Sequence, residues 1–128
     1  MIDHTGIVVS NFEKSKPFYC ATLSSINYSL VMEPPASATG HKAAGFGEQP
    51  ENPDFWITQG SPNNPPTHLA FRVSKRALVD AFYKAAIAAG GRDNGKPGLR
   101  PQYHSNYYGA FVFDPDGHNI EAVCHEPE

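Results

Sequence analysis

At 128 residues the chain has the size of a single domain, and its hydrophobic fraction of 40% allows a buried core. The 10 basic and 13 acidic residues give a net charge of −3, and no basic block suggests nucleic-acid binding. No apolar run approaches the roughly 20 residues of a membrane helix. Cys20 and Cys124 indicate neither a zinc cluster nor a disulfide scaffold. We therefore expect one cytoplasmic domain with no nucleic-acid partner and no membrane partner.

The first half of the chain predicts one helix among several short strands. β-Branched residues predict a strand over 2–9, and Ser10 with Glu13 forms a capping box for a helix over 11–23. Alternating side chains predict a second strand over 26–32. Two further short strands are predicted over 41–47 and 54–59.

The second half repeats this order. A strand over 67–73 is followed by Ser74, which we predict caps a helix that ends at Gly90. After an irregular stretch come strands over 107–113 and 118–124, joined by a type I turn. The predicted order of elements is therefore βαβββ twice.

An internal repeat supports this division. His4 and His68 each begin the pattern H-x4-V-S-x7-F-Y, and the two copies are 64 residues apart. With the same spacing held without a gap, Gly45 falls on Gly109. We interpret the chain as a duplicated unit.

The boundaries of the two units follow from a proline-rich segment between them. Unit 1 covers residues 1–60 and unit 2 covers residues 67–128. Residues 61–66 form the linker.

The paired runs and the C-terminal sequence Asp114–Glu121 (DPDGHNIE) resemble the vicinal oxygen chelate superfamily of glyoxalase I, bleomycin resistance proteins and extradiol dioxygenases. The resemblance covers essentially the whole chain and implies a single domain over 1–128. It implies an α+β fold in which two βαβββ units form a cupped mixed sheet with helices on the outer face. It does not specify the reaction, because the superfamily includes several reactions and metal-free binders.

The resemblance also implies a metal site. Its ligand positions fall on His4, His68 and Glu121, and a shift of Glu121 by the repeat length gives Ile57, so the fourth position holds no carboxylate. Two imidazoles and one carboxylate leave open positions on a divalent ion for two adjacent substrate oxygens. The expected cofactor is one divalent metal ion, with Fe²⁺, Mn²⁺, Ni²⁺ and Zn²⁺ left open.

Further candidate residues lie near these ligands. Glu121 and His104 are the candidate catalytic groups. His104 can act as a general acid or base, because imidazole titrates near neutral pH. Arg72, which shares a strand face with His68, and Tyr103 and Tyr107 are candidate substrate contacts. The alternatives are an exposed loop histidine for His104 and a surface arginine for Arg72. Three further histidines are expected on the surface: His41, His118 and His125.

Two classes of function remain open at this stage. The first is a divalent-metal-dependent enzyme acting on a small substrate chelated through vicinal oxygens, either a glyoxalase-like lyase or isomerase or an extradiol-type dioxygenase. The alternative is a metal-free small-molecule or drug-binding protein of the bleomycin resistance kind. In either case we expect a homodimer, because short strands leave sheet edges and apolar surface to be covered.

Overall fold

The computed structural model describes residues 1–128 and contains eight strands and three helices. The first half contains β1 (Thr5–Val9), α1 (Phe12–Ser24), β2 (Ser29–Met32), the short α2 (Ala36–Thr39), β3 (Ala43–Gly47) and β4 (Phe55–Gln59). The second half contains β5 (His68–Val73), α3 (Arg76–Ala88), β6 (Arg92–Leu99), β7 (Tyr108–Phe113) and β8 (Asn119–Cys124). The predicted order is found in both halves. The differences are the extra helix α2 and strand β6, which forms where an irregular stretch was predicted.

The strands form two four-stranded mixed sheets, one from each half. The strand order is β1-β4-β3-β2 in the first sheet and β5-β8-β7-β6 in the second. In each sheet the first and last strands of the unit pair in parallel, and the remaining pairs are antiparallel. The predicted α+β fold with two repeated units is therefore confirmed, while the boundaries at residues 60 and 67 stay a prediction.

The inner faces of both sheets share one hydrophobic core with α1 and α3. Strand alternation turns Ile7 and Val9 inward, and a cluster of 21 buried residues continues through both halves. Phe55 of the first sheet packs edge-on against Phe71 of the second, with ring centroids 5.4 Å apart. Helices α1 and α3 also contact each other. As a result, the outer faces of the two sheets point away from a common core.

The sheet register corrects the gapless alignment of the two units. Glu121 pairs with Ala70, and the repeat counterpart of Ala70 is Gly6, which pairs with Trp56. Trp56 is therefore the structural counterpart of Glu121, whereas Ile57 is fully buried in the core. The fourth ligand position is occupied by an indole ring, because hydrogen bonds between strands, and not sequence spacing, decide which residues are equivalent.

The alignment of Gly45 with Gly109 fails for the same reason. Gly45 pairs with Trp56, and the residue that pairs with Glu121 is Phe111. Gly45 is thus equivalent to Phe111, and its coincidence with Gly109 in sequence has no structural meaning.

The starts of both long helices differ from prediction by one residue. Asn11 caps α1, while Ser10 bonds to Asp116 in the second half of the chain. Lys75 occupies the N-cap of α3 without a side-chain hydrogen bond, so Ser74 is not the cap. Both helices have 13 residues, and none of the three helices is long and apolar enough to cross a membrane.

The turn between β7 and β8 joins the two halves through buried hydrogen bonds. The hydroxyl group of Tyr19 donates to Asp114 Oδ2 at 2.6 Å. His118 is fully buried, which corrects its expected surface position. Its Nδ1 accepts from the Thr67 N–H at 2.9 Å, so its Nε2 carries the proton and donates to the Val8 carbonyl at 3.0 Å. The turn therefore has a structural role that extends well beyond the hairpin.

We predict that Tyr19→Phe lowers the free energy of unfolding by about 1–3 kcal/mol at pH 7, because the buried Asp114 carboxylate loses a donor. Burial, followed by the charge and hydrogen bond of Asp114, raises the pKa of Tyr19 well above its usual value. Its contribution is therefore complete below the unfolded-state pKa of about 10 and is lost as the pH rises through the folded-state pKa. The difference between parent and variant, measured by urea denaturation, should shrink over that range.

Tyr83→Phe is the matched control. Tyr83 is the repeat counterpart of Tyr19, but its hydroxyl donates to Asp93 at 3.0 Å near the surface. This variant should lose much less stability, and equal losses in the two variants would contradict a special role for the buried bond.

Candidate metal site

The predicted ligands His68 and Glu121 lie side by side on the outer face of the second sheet. Strand β5 turns His68, Ala70 and Arg72 outward, and the parallel neighbour β8 turns Glu121 to the same face. The distance from His68 Nε2 to Glu121 Oε1 is 2.8 Å. The His68 side chain is 53% exposed, whereas the Glu121 side chain is only 1% exposed. The buried Glu121 carboxylate therefore lies beside a solvent-accessible histidine side chain.

Two neighbours compensate the buried Glu121 carboxylate. His68 contacts Oε1, and the Tyr107 hydroxyl group donates to Oε2. Burial, and then the hydrogen bond to Glu121, raise the pKa of Tyr107 above its usual value. A carboxylate taken from water with few partners is costly, since the effective penalty is several kcal/mol per ion. A bound cation would offset that cost.

The separation of the two ligand atoms suits a shared metal ion. Donors bonded at right angles to one ion, at about 2.1 Å each, lie about 3 Å apart, close to the observed 2.8 Å. Imidazole nitrogen and carboxylate oxygen are ligands for all four candidate metals. The pair fits a divalent ion, and one chain supplies two of the three expected ligands at this place.

His4, the third expected ligand, lies on the other sheet. It precedes β1, its side chain is 62% exposed, and its Nδ1 lies 2.6 Å from Asp3 Oδ2. It lines a cavity of about 1000 Å³ on the outer face of the first sheet. Because the inner faces of both sheets share one core, one chain does not bring His4 to His68 and Glu121.

The cavity beside His4 is acidic and has an aromatic wall. The indole of Trp56 lies across Gly45, where an added Cβ would be 3.0 Å from the ring. No lysine or arginine lines the cavity. Its carboxylates are Asp3, Glu48, Glu51 and Asp54.

The outer face of the second sheet is basic by contrast. The guanidinium of Arg100 lies over the Phe111 ring at 5.4 Å, and that of Arg92 lies over Phe113 at 5.1 Å. Arg72 is 73% exposed on the same face and lies 3.9 Å from Glu126. The two outer faces therefore differ in charge: the first carries carboxylates without a lysine or arginine, and the second carries three arginines beside Glu121 and Glu126.

The candidate residues in the loop between β6 and β7 (residues 100–107) gather beside Glu121. The loop closes through a bond from the Arg100 N–H to the Tyr107 carbonyl at 2.7 Å. Tyr103 packs against Tyr107, with ring centroids 4.8 Å apart. His104 bonds through Nε2 to His125 Nδ1 at 2.7 Å. His125 was expected on the surface and is half-buried here. The one sequence feature that could have indicated a place for His125 near the site is its position four residues after Glu121.

A second group of ligand-type residues lies in the β7–β8 turn. Ligand atoms of Asp114, Asp116 and His118 all lie within 4.8 Å of one another, so the group has the composition of a metal site. All four carboxylate oxygens already accept hydrogen bonds, and both ring nitrogens of His118 are engaged. A metal there would have to displace the bonds that join the two halves, so His68 and Glu121 are the stronger candidates.

Comparison with known proteins agrees with this fold. The sequence model of the glyoxalase/bleomycin resistance protein/dioxygenase superfamily matches residues 1–122. No curated protein sequence matches the chain.

Several solved structures resemble it. A glyoxalase/bleomycin resistance protein from Albidiferax ferrireducens T118 is 26% identical, with a TM-score of 0.77 over 98% of both chains. A mutant fosfomycin resistance protein from Listeria monocytogenes, solved with Mn(II) and 1S,2S-dihydroxypropylphosphonic acid, is 18% identical. Its TM-score is 0.66 over 96% of this chain and 88% of that one. A mutant glyoxalase I from Zea mays is 18% identical, with a TM-score of 0.71 over 99% of this chain and 45% of that one.

The last two likenesses establish the fold alone. The family match covers nearly the whole sequence, and the two mixed sheets have the same strand order. The chain belongs to the glyoxalase/bleomycin resistance protein/dioxygenase superfamily.

Proposed function

We propose that the protein is a divalent-metal-dependent enzyme acting on a small substrate that chelates the ion through two adjacent oxygens. The observation that carries this proposal is the His68–Glu121 pair, in which a solvent-accessible imidazole lies 2.8 Å from a carboxylate buried on an outer sheet face. Metal-dependent relatives support it, including the manganese-containing fosfomycin resistance protein. Glyoxalase-like lyase or isomerase activity and extradiol-type ring cleavage are the two candidate reactions.

His68 and Glu121 would hold the ion from one chain, and His4 of a second copy would complete the set of ligands. When bound, the metal would polarise the substrate oxygens that it contacts. Arg72 and Tyr103, both exposed, contact the parts of the substrate that extend toward solvent. Glu121 would also accept a proton from the substrate. His104 would act as a general acid or base together with His125, because its Nε2 is bonded to that ring.

A homodimer follows from the position of His4. The site is incomplete within one chain, and the acidic face around His4 is complementary in charge to the basic face around Arg100. Apposition of opposite charges favours one register of association over others. In a pair related by a two-fold axis, each copy would present its first sheet to the second sheet of the other.

The alternative function, metal-free binding of a small molecule, is supported by Trp56. An indole replaces the carboxylate at the position equivalent to Glu121 and forms a wall of the cavity beside His4. Aromatic walls bind apolar or cationic ligands without a metal. A measurement of metal binding distinguishes the metal-dependent enzyme from the metal-free binding protein.

We predict that the purified protein binds Mn²⁺, Fe²⁺, Ni²⁺ or Zn²⁺, and that His68→Ala and Glu121→Ala each weaken binding at least about tenfold. The fold should persist in both variants, since a core of this size does not depend on metal. Calorimetric titration of metal-stripped protein measures the affinity, and circular dichroism checks the fold.

Asp116→Asn serves as the control, because Asp116 belongs to the other group of ligand-type residues and contacts Ser10 instead. It should leave metal affinity unchanged. Loss of metal binding in Asp116→Asn but not in Glu121→Ala would assign the metal site to the β7–β8 turn. No tight binding in the parent would favour the metal-free function.

The shared site predicts complementation between two inactive variants. His4→Ala and His68→Ala should each bind metal poorly, but the two proteins refolded together should regain about a quarter of the sites through mixed dimers. A site contained within one chain would regain none. Light scattering should show a dimer at micromolar concentration, and a monomer would contradict the proposed arrangement.

Oxygen consumption separates the two candidate reactions. A dioxygenase loaded with Fe²⁺ consumes O₂ with a catechol probe, whereas a lyase or isomerase consumes none with any substrate.

A further inference from the structure

Tyr107 is half-buried and is held over Glu121 by contacts with several neighbouring groups. Its ring occupies the space above Gly109, where an added Cβ would lie 3.1 Å from Tyr107 Cε1 and 3.4 Å from Glu121 Oε2. The rings of His104 and His125 pack edge-on against it, with centroids 5.4 Å and 5.3 Å away. The phenol therefore has a fixed position beside the carboxylate.

A contact between His104 and His125 holds the Tyr107 ring in this position. Their nitrogens are 2.7 Å apart while the ring centroids are 4.9 Å apart, so the rings meet end to end through a hydrogen bond and are not stacked face to face. Nδ1 of His104 accepts the Asn106 N–H at 3.1 Å, which makes its Nε2 the donor to His125. This bond joins the 100–107 loop to the chain that follows β8, with Tyr107 between them.

The two oxygens of Glu121 consequently face different partners. Oε1 faces the solvent-accessible His68, and Oε2 is bonded to the Tyr107 hydroxyl group. A fixed donor at one carboxylate oxygen withdraws a lone pair from that oxygen and so favours coordination of an ion by the other oxygen. Hydrogen bonds of this kind orient metal ligands in many sites.

We propose that Tyr107 is a positioning residue that restricts Glu121 to coordination through Oε1 alone. This assignment rests on the proposed metal-dependent function and deepens it. Coordination through one carboxylate oxygen keeps an additional position on the ion open, as a substrate that binds through two oxygens requires.

The test counts the water molecules that Mn²⁺ coordinates, by the field dependence of water-proton relaxation in the dimeric protein loaded with Mn²⁺. In Tyr107→Phe the freed Oε2 takes a position on the ion, so the number of coordinated waters should fall by one. Tyr108→Phe is the matched control. It removes a hydroxyl group that donates to Asp80 at 2.7 Å on the opposite face of the same strand. Its water number should equal that of the parent.

Gly109→Val provides a second variant in case Tyr107→Phe does not fold. The new side chain would occupy the space of the Tyr107 ring and should remove one coordinated water in the same way. Parent and Tyr107→Phe with equal water numbers would overturn the positioning role and leave the metal-dependent function standing. A parent that binds no Mn²⁺ would overturn both.

Discussion

The buried turn from Asp114 to His118 is the contact on which the arrangement of the two halves depends. Its carboxylate and imidazole hold a tyrosine hydroxyl and a strand carbonyl of the first half inside a shared core. Such groups are expensive to leave without partners, so the turn fixes one relative position of the two units. Strand β8 begins directly after it, and Glu121 follows three residues beyond His118. The structural network and the candidate metal site therefore share one short segment.

A shared core has a direct consequence for chemistry. Since both sheets pack their inner faces together, each outer face is available to solvent or to another molecule. One face combines His4 with carboxylates, and the other combines His68 and Glu121 with arginines. Neither face alone has all three of the expected ligands. The duplicated fold thus divides these candidate ligands between two surfaces, and a bound cation would offset the cost of burying Glu121 on one of them.

Sequence patterns were sufficient for the features that depend on local periodicity. Runs of β-branched residues and alternation located seven of the eight strands, and capping residues with helical spacing located both long helices. The repeat identified His4 and His68 as equivalent positions, because His68 begins β5 and His4 directly precedes β1, before any loop has changed the spacing. Alternation along β5 placed His68 and Arg72 on one strand face, and both residues are exposed there. These properties belong to single strands and adjacent residues.

Tertiary structure alone decided the remaining features of this protein. Trp56 and not Ile57 is the counterpart of Glu121, because inter-strand hydrogen bonds set the register after loops of unequal length have shifted the alignment. His118 is buried because two distant segments, at Val8 and Thr67, meet at its imidazole ring. Tyr107 reaches Glu121 because Gly109 leaves room for its ring above the strand. The amino-acid sequence determines local alternation and helical phase, whereas partners brought together from distant parts of the chain exist only after the strands have paired and the core has closed.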